Sequence, residues 1–123
     1  MEGGTLVLRI PFLALVFLAS CSSAAFRPRP VEGGYLFQLR APGTTAVALT
    51  GSFNGWSESA SPLTEDSNGL WRIVIPLNKG RHRYMFVVTK KDGEKEWIEP
   101  PGASCYVPDG FGGRNGVVKV DSE

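Results

Sequence analysis

The sequence predicts an all-β chain, folded as a two-sheet β-sandwich behind an N-terminal export signal. Three observations predict it. After residue 31, apolar and polar residues alternate with period two in several short segments, and none sustains a helical period. Turn-forming pairs bound those segments closely enough for a sandwich. Upstream, Ile10 to Ala19 is almost wholly apolar, broken only by Pro11, and leads into Ser20-Cys21.

That apolar run is too short to span a bilayer, which takes about 20 residues. It suits the apolar region of a signal peptide followed by small residues. Leu18-Ala19-Ser20-Cys21 resembles the lipobox of bacterial lipoproteins. The resemblance implies a signal peptide over residues 1–20 and Cys21 as the lipidated first residue. Its acyl chains, palmitate among them, would hold the protein at a membrane of the bacterial cell envelope. Ordinary cleavage after Ser23-Ala24-Ala25 is the alternative, and it would release a soluble product. Arg9 is the only basic side chain before the apolar run, and Glu2 opposes it. Residues 21–32 then read as the lipidated cysteine and a tether, because Pro28 and Pro30 favour an extended backbone. A single folded domain is expected over residues 33–121.

Within that domain, Tyr35, Phe37 and Leu39 alternate with Leu36, Gln38 and Arg40. Val47 and Leu49 alternate with Ala48 and Thr50. Trp71, Ile73 and Ile75 alternate with Leu70, Arg72 and Val74, which makes Trp71 a core residue. Tyr84, Phe86 and Val88 alternate with Arg83, Met85 and Val87, and Val117 to Val120 forms a last run. Asn54-Gly55, Asn68-Gly69 and Asn115-Gly116 supply residues that tolerate positive φ. Asn78-Lys79-Gly80 and Asp92-Gly93 are short enough to close hairpins. Glu99 to Gly116 is the longest irregular stretch, a length often associated with function.

Several chemistries find no support. A formal net charge of +1 gives no long-range field to draw nucleic acid. Two cysteines and one histidine cannot supply a zinc-ligand set, and no cofactor motif is present. His82 lies in a strand run and reads as a packed or hydrogen-bonded side chain. No serine or cysteine has an evident partner base, and the carboxylates sit in turn-rich segments, so no catalytic residue is assigned. With Cys21 acylated, Cys105 has no disulfide partner and is either a buried apolar residue or a free thiol. Recognition by displayed side chains is what remains.

Gly51-Ser52-Phe53-Asn54-Gly55-Trp56 resembles the family-48 carbohydrate-binding modules. These include the glycogen-binding domain of the AMP-activated protein kinase β subunit and modules of branching and debranching enzymes. The likeness continues through Pro62-Leu63-Thr64, Gly69-Leu70-Trp71 and the run Gly80 to Val88. It ends with Trp97, Pro100 and Asn115-Gly116-Val117-Val118. It implies an immunoglobulin-like sandwich of the early-set type and non-catalytic binding of α-glucan or a related oligosaccharide. In sugar-binding members two tryptophans, a lysine and an asparagine make the site. By position the tryptophans are Trp56 and Trp97, and the asparagine is Asn115. Asn115 is equally explained as the left-handed residue of a turn. The lysine is replaced by Met85, a weak acceptor with no cationic donor. Arg83, two residues earlier on the same strand face, is the candidate compensating donor; without it, binding is expected to be weakened or altered. Glu99 stands where the family commonly carries aspartate. The alternative function is an envelope protein–protein interaction module that keeps the fold after losing the sugar site.

Overall fold

The computed structural model describes residues 26–121. The expected signal peptide and Cys21 lie outside the described residues. Among those residues there are nine strands in two antiparallel sheets, five of them formed by the alternating segments. They are β1 (Arg29–Val31), β2 (Gly34–Arg40), β3 (Ala46–Gly51), β4 (Thr64–Glu65), β5 (Leu70–Ile75), β6 (Gly80–Thr89), β7 (Lys95–Ile98), β8 (Cys105–Pro108) and β9 (Arg114–Val120). One sheet has the order β1-β2-β5-β4; the other runs β3-β6-β9-β8, with β7 added beside β6.

The core lies between the sheets and is built by the predicted alternation. Phe37, Leu39 and Trp71 come from the first sheet, and Val47, Leu49, Tyr84, Phe86, Val88 and Val118 from the second. Phe37 meets Tyr84 edge-on, with ring centroids 5.1 Å apart, so an aromatic pair joins the two layers. Trp71 is buried, and its indole N–H donates to the Ala41 carbonyl at 3.1 Å. Burial holds the Tyr84 phenol protonated well above its usual range. His82 is half-buried against the Phe53 ring, with Nε2 2.8 Å from the Asn78 carbonyl oxygen.

Four local readings change. β1 begins at Arg29, inside the stretch expected to be tether; Pro30 is tolerated there because β1 is an edge strand. Asn78-Lys79-Gly80 joins β5 to β6, which lie in different sheets, so it is an arch and not a hairpin. Asn115-Gly116 is in strand β9, paired with Val107 and Tyr106, and not in a turn. The stretch from Glu99 to Gly116, expected to be irregular, contains β8 and the start of β9. Asp92-Gly93 does close a hairpin, pairing Thr89 with Lys95. Cys105 opens β8 as an exposed free thiol.

Thr50 is fully buried on β3, and its hydroxyl has no hydrogen-bond partner. A buried unpaired hydroxyl costs about 1–3 kcal/mol. Thr50→Val removes it at little change of shape. The expected outcome is a gain of about 1 kcal/mol in urea unfolding, with an unchanged m value.

Candidate functional site

The site begins with the turn Gly51 to Trp56, which follows β3. Ser52–Asn54 forms one 3-10 turn, and Gly55 and Trp56 then take left-handed conformations at φ 68° and 60°. Glycine does so freely, whereas a tryptophan there carries about 1–3 kcal/mol of strain. The surroundings enforce it. The Asn54 side chain accepts from Gly51 N–H at 3.0 Å and donates to the Leu49 carbonyl at 2.9 Å and to the Ser61 hydroxyl at 3.0 Å. Trp56 N–H donates to the Gly51 carbonyl at 2.9 Å. Phe53 anchors the turn inward beside Phe37. At Gly51 a Cβ would collide with the Arg83 carbonyl oxygen and lie 2.6 Å from the Phe53 ring, so only glycine fits.

Trp97 comes from β7, where it pairs in register with Val87 of β6. Its neighbour Ile98 packs against the core, so alternation turns Trp97 outward, and it is 41% exposed. The two indoles meet above the second sheet, with centroids 6.5 Å apart and planes inclined by 23°. On β6, Tyr84 and Phe86 point into the core, which leaves Arg83 and Met85 on the outer face. Arg83 pairs with Val117, and Val117 lies two residues along β9 from Asn115. Trp56, Trp97, Arg83, Met85 and Asn115 therefore line one cleft of about 410 Å³. Asn115 is only 6% exposed, and its strand position removes the left-handed-turn explanation.

Sequence reasoning missed three contributors. Phe111, 94% exposed at the tip of the β8–β9 loop, forms one wall with Asp109. Asp109 shapes that tip by accepting from Phe111 N–H at 2.7 Å and Gly113 N–H at 3.0 Å. An aromatic residue isolated in Asp-Gly-Phe-Gly-Gly, outside any alternation, was the available signal. The third is Glu58, whose carboxylate accepts from the Trp97 indole N–H at 2.9 Å and from Lys95 Nζ at 3.3 Å. The indole N–H, and then the Lys95 ammonium, hold this carboxyl below the usual carboxylate range. Glu99, beyond Trp97, forms an ion pair with Arg114, whose guanidinium stacks on the Tyr106 ring.

The sandwich carries an aromatic ledge, a buried amide and one guanidinium in one cleft, groups whose chemistry suits a small polar ligand with apolar faces. The chain belongs to the carbohydrate-binding module 48 family (isoamylase N-terminal domain), whose model matches residues 24–103. It is similar to the 1,4-alpha-glucan branching enzyme GlgB of Nitrobacter winogradskyi, 38% identical over 68 residues. That match covers 54% of this chain and 10% of the enzyme. The corresponding enzyme of Bacillus caldolyticus is 41% identical over 61 residues, covering 49% of this chain and 9% of the enzyme. GlgB 2 of Xanthomonas oryzae pv. oryzae is 35% identical over 84 residues, covering 61% and 12%. The chain thus spans about a tenth of the length of these relatives.

The different burial of the tryptophans is directly measurable. Acrylamide is expected to quench Trp97 strongly and Trp71 hardly at all. Trp97→Phe should therefore remove its own share of the quenchable emission and leave that of the half-buried Trp56, while Trp71 keeps its shielded signal.

Proposed function

We propose that this domain binds α-glucan or a related oligosaccharide without catalysing a reaction on it. A pyranose presents a face of C–H groups and a rim of hydroxyls, and an indole suits the first. The observation that carries the reading is the near-parallel pair Trp56 and Trp97, one ledge beside the Asn115 amide and the Arg83 guanidinium. Stacking supplies most of the contact, and the two polar groups orient hydroxyls. The family membership and the enzymes named for α-glucan branching support glucan as the ligand class. Few donors and no lysine make the binding weak, about micromolar to millimolar.

The protein is further proposed to be a lipoprotein of the bacterial cell envelope, tethered through Cys21 with the sandwich outside the cytoplasm. The support is the Leu-Ala-Ser-Cys pattern alone. Metabolic labelling with a fatty acid is expected to mark the wild type and not Cys21→Ala; equal labelling of both removes the anchor.

The sugar reading is tested by titrating maltoheptaose against tryptophan fluorescence. Trp56→Ala and Trp97→Ala are each expected to weaken binding about tenfold or more. Met85→Lys, which adds a charged donor to the cleft, is expected to strengthen it about tenfold. An absence of response at tens of millimolar sugar refutes glucan binding and leaves the protein-interaction alternative, which Met85 at the lysine position favours.

A further inference from the structure

We infer that Glu58 is a positioning residue that fixes the two indoles relative to each other and thereby sets the affinity of the cleft. The affinity part rests on the glucan-binding reading; the positioning part does not.

The two platforms come from elements with no ladder in common. Trp56 belongs to the turn after β3, and its backbone bonds return to that turn. Trp97 belongs to β7, which pairs with the C-terminal half of β6. Among the described residues, the hydrogen bonds that cross from the β3–β4 connection to β7 are the two made by Glu58. Glu58 lies two residues after Trp56, so it extends the same loop toward the partner ring. One carboxylate oxygen takes the Trp97 indole N–H and the other takes Lys95 Nζ.

The chemistry suits a positioning role. An indole N–H only donates, and it lies in the ring plane, so a fixed acceptor selects one rotation of the ring. Flipping the ring would leave that donor pointing away from the carboxylate. Lys95 lies two residues before Trp97 on the same face of β7, so strand and loop grip the carboxylate together. Both contacts are charge-assisted, which makes them stronger than neutral hydrogen bonds. They are also exposed, so they contribute little to global stability. Ring orientation and folding are therefore separable by experiment. With the rings already held near-parallel, a saccharide need not order them on binding, which is the usual gain from preorganisation.

The test uses the full chain and a readout that needs no sugar. Two indoles this close give an exciton couplet in far-UV circular dichroism, with Trp56→Phe as the uncoupled reference. Glu58→Ala is expected to reduce the couplet to that reference with the unfolding midpoint unchanged. Glu58→Gln, which keeps an acceptor for the indole N–H, should retain most of it. Maltoheptaose affinity should fall about tenfold in Glu58→Ala and much less in Glu58→Gln. A wild-type couplet in Glu58→Ala overturns the inference whatever the titration gives. A lost couplet with unchanged affinity overturns the affinity part. If the wild type binds no maltoheptaose, the glucan reading fails, and the couplet still decides whether Glu58 positions the rings.

Discussion

The structure depends on strand β6 being hydrogen-bonded along both edges. β3 pairs with it from Tyr84 to Thr89 on one side. β9 takes Gly80 to Tyr84, and β7 takes Phe86 to Thr89, on the other. A strand so held cannot slip, because a shift of one residue would exchange its faces. Tyr84, Phe86 and Val88 would leave the core, and Arg83 and Met85 would enter it. The register that buries the core is thus the one that presents the cleft. Core and site are opposite faces of one pleated strand.

The turn from Gly51 to Trp56 uses that rigidity. Its left-handed tryptophan is strained, and a free loop would relax it. The Asn54 side chain, bonded to Gly51, Leu49 and Ser61, ties the turn to the end of β3. Phe53 anchors it in the core, and the Arg83 N–H donates to the Ser52 hydroxyl. Each residue of Gly-Ser-Phe-Asn-Gly-Trp therefore has its own physical role. In order, they give close approach, a bond to β6, an apolar anchor, a staple, a positive φ and the displayed ring. The motif is a device for raising one indole beside the sheet.

Met85 changes the balance of forces in the cleft. Its neighbours Trp56, Trp97 and Phe111 are apolar or amphipathic, and the cation lining the same cleft is Arg83. Contact area then outweighs directed hydrogen bonding. Under the proposed glucan binding, such a surface discriminates by shape and by the spacing of its rings more than by counting hydroxyls. That raises the importance of whatever fixes the rings, and Glu58 joins the loop that carries one ring to the strand that carries the other.

The existence and inward face of the five alternating strands were legible, because a period of two states both at once, whereas β1, β4 and β8 carried no such pattern. Trp71 in the core, the hairpin at Asp92-Gly93 and the turn at Asn54-Gly55 followed from local chemistry. A family resemblance named Trp56, Trp97 and Asn115 and placed the missing lysine at Met85, from which the strand alternation led to Arg83. The sheet to which each strand belongs was not legible, which is why Asn78-Lys79-Gly80 reads as a hairpin. A short polar turn looks the same whether the chain returns beside itself or crosses to the other layer. Asn115-Gly116 misleads for a similar reason, since a pair suited to a turn is also tolerated in a strand whose neighbours hold it. The sequence by itself determined which side chains of the alternating strands face the core and made Trp56, Trp97, Arg83 and Asn115 candidates, but not Phe111, Asp109 or Glu58. Only the tertiary structure decided that three strands and two loops bring them to one cleft. Glu58 meets Lys95 and Trp97 from 37 and 39 residues away, and no local pattern encodes a contact set by the register of strands between them.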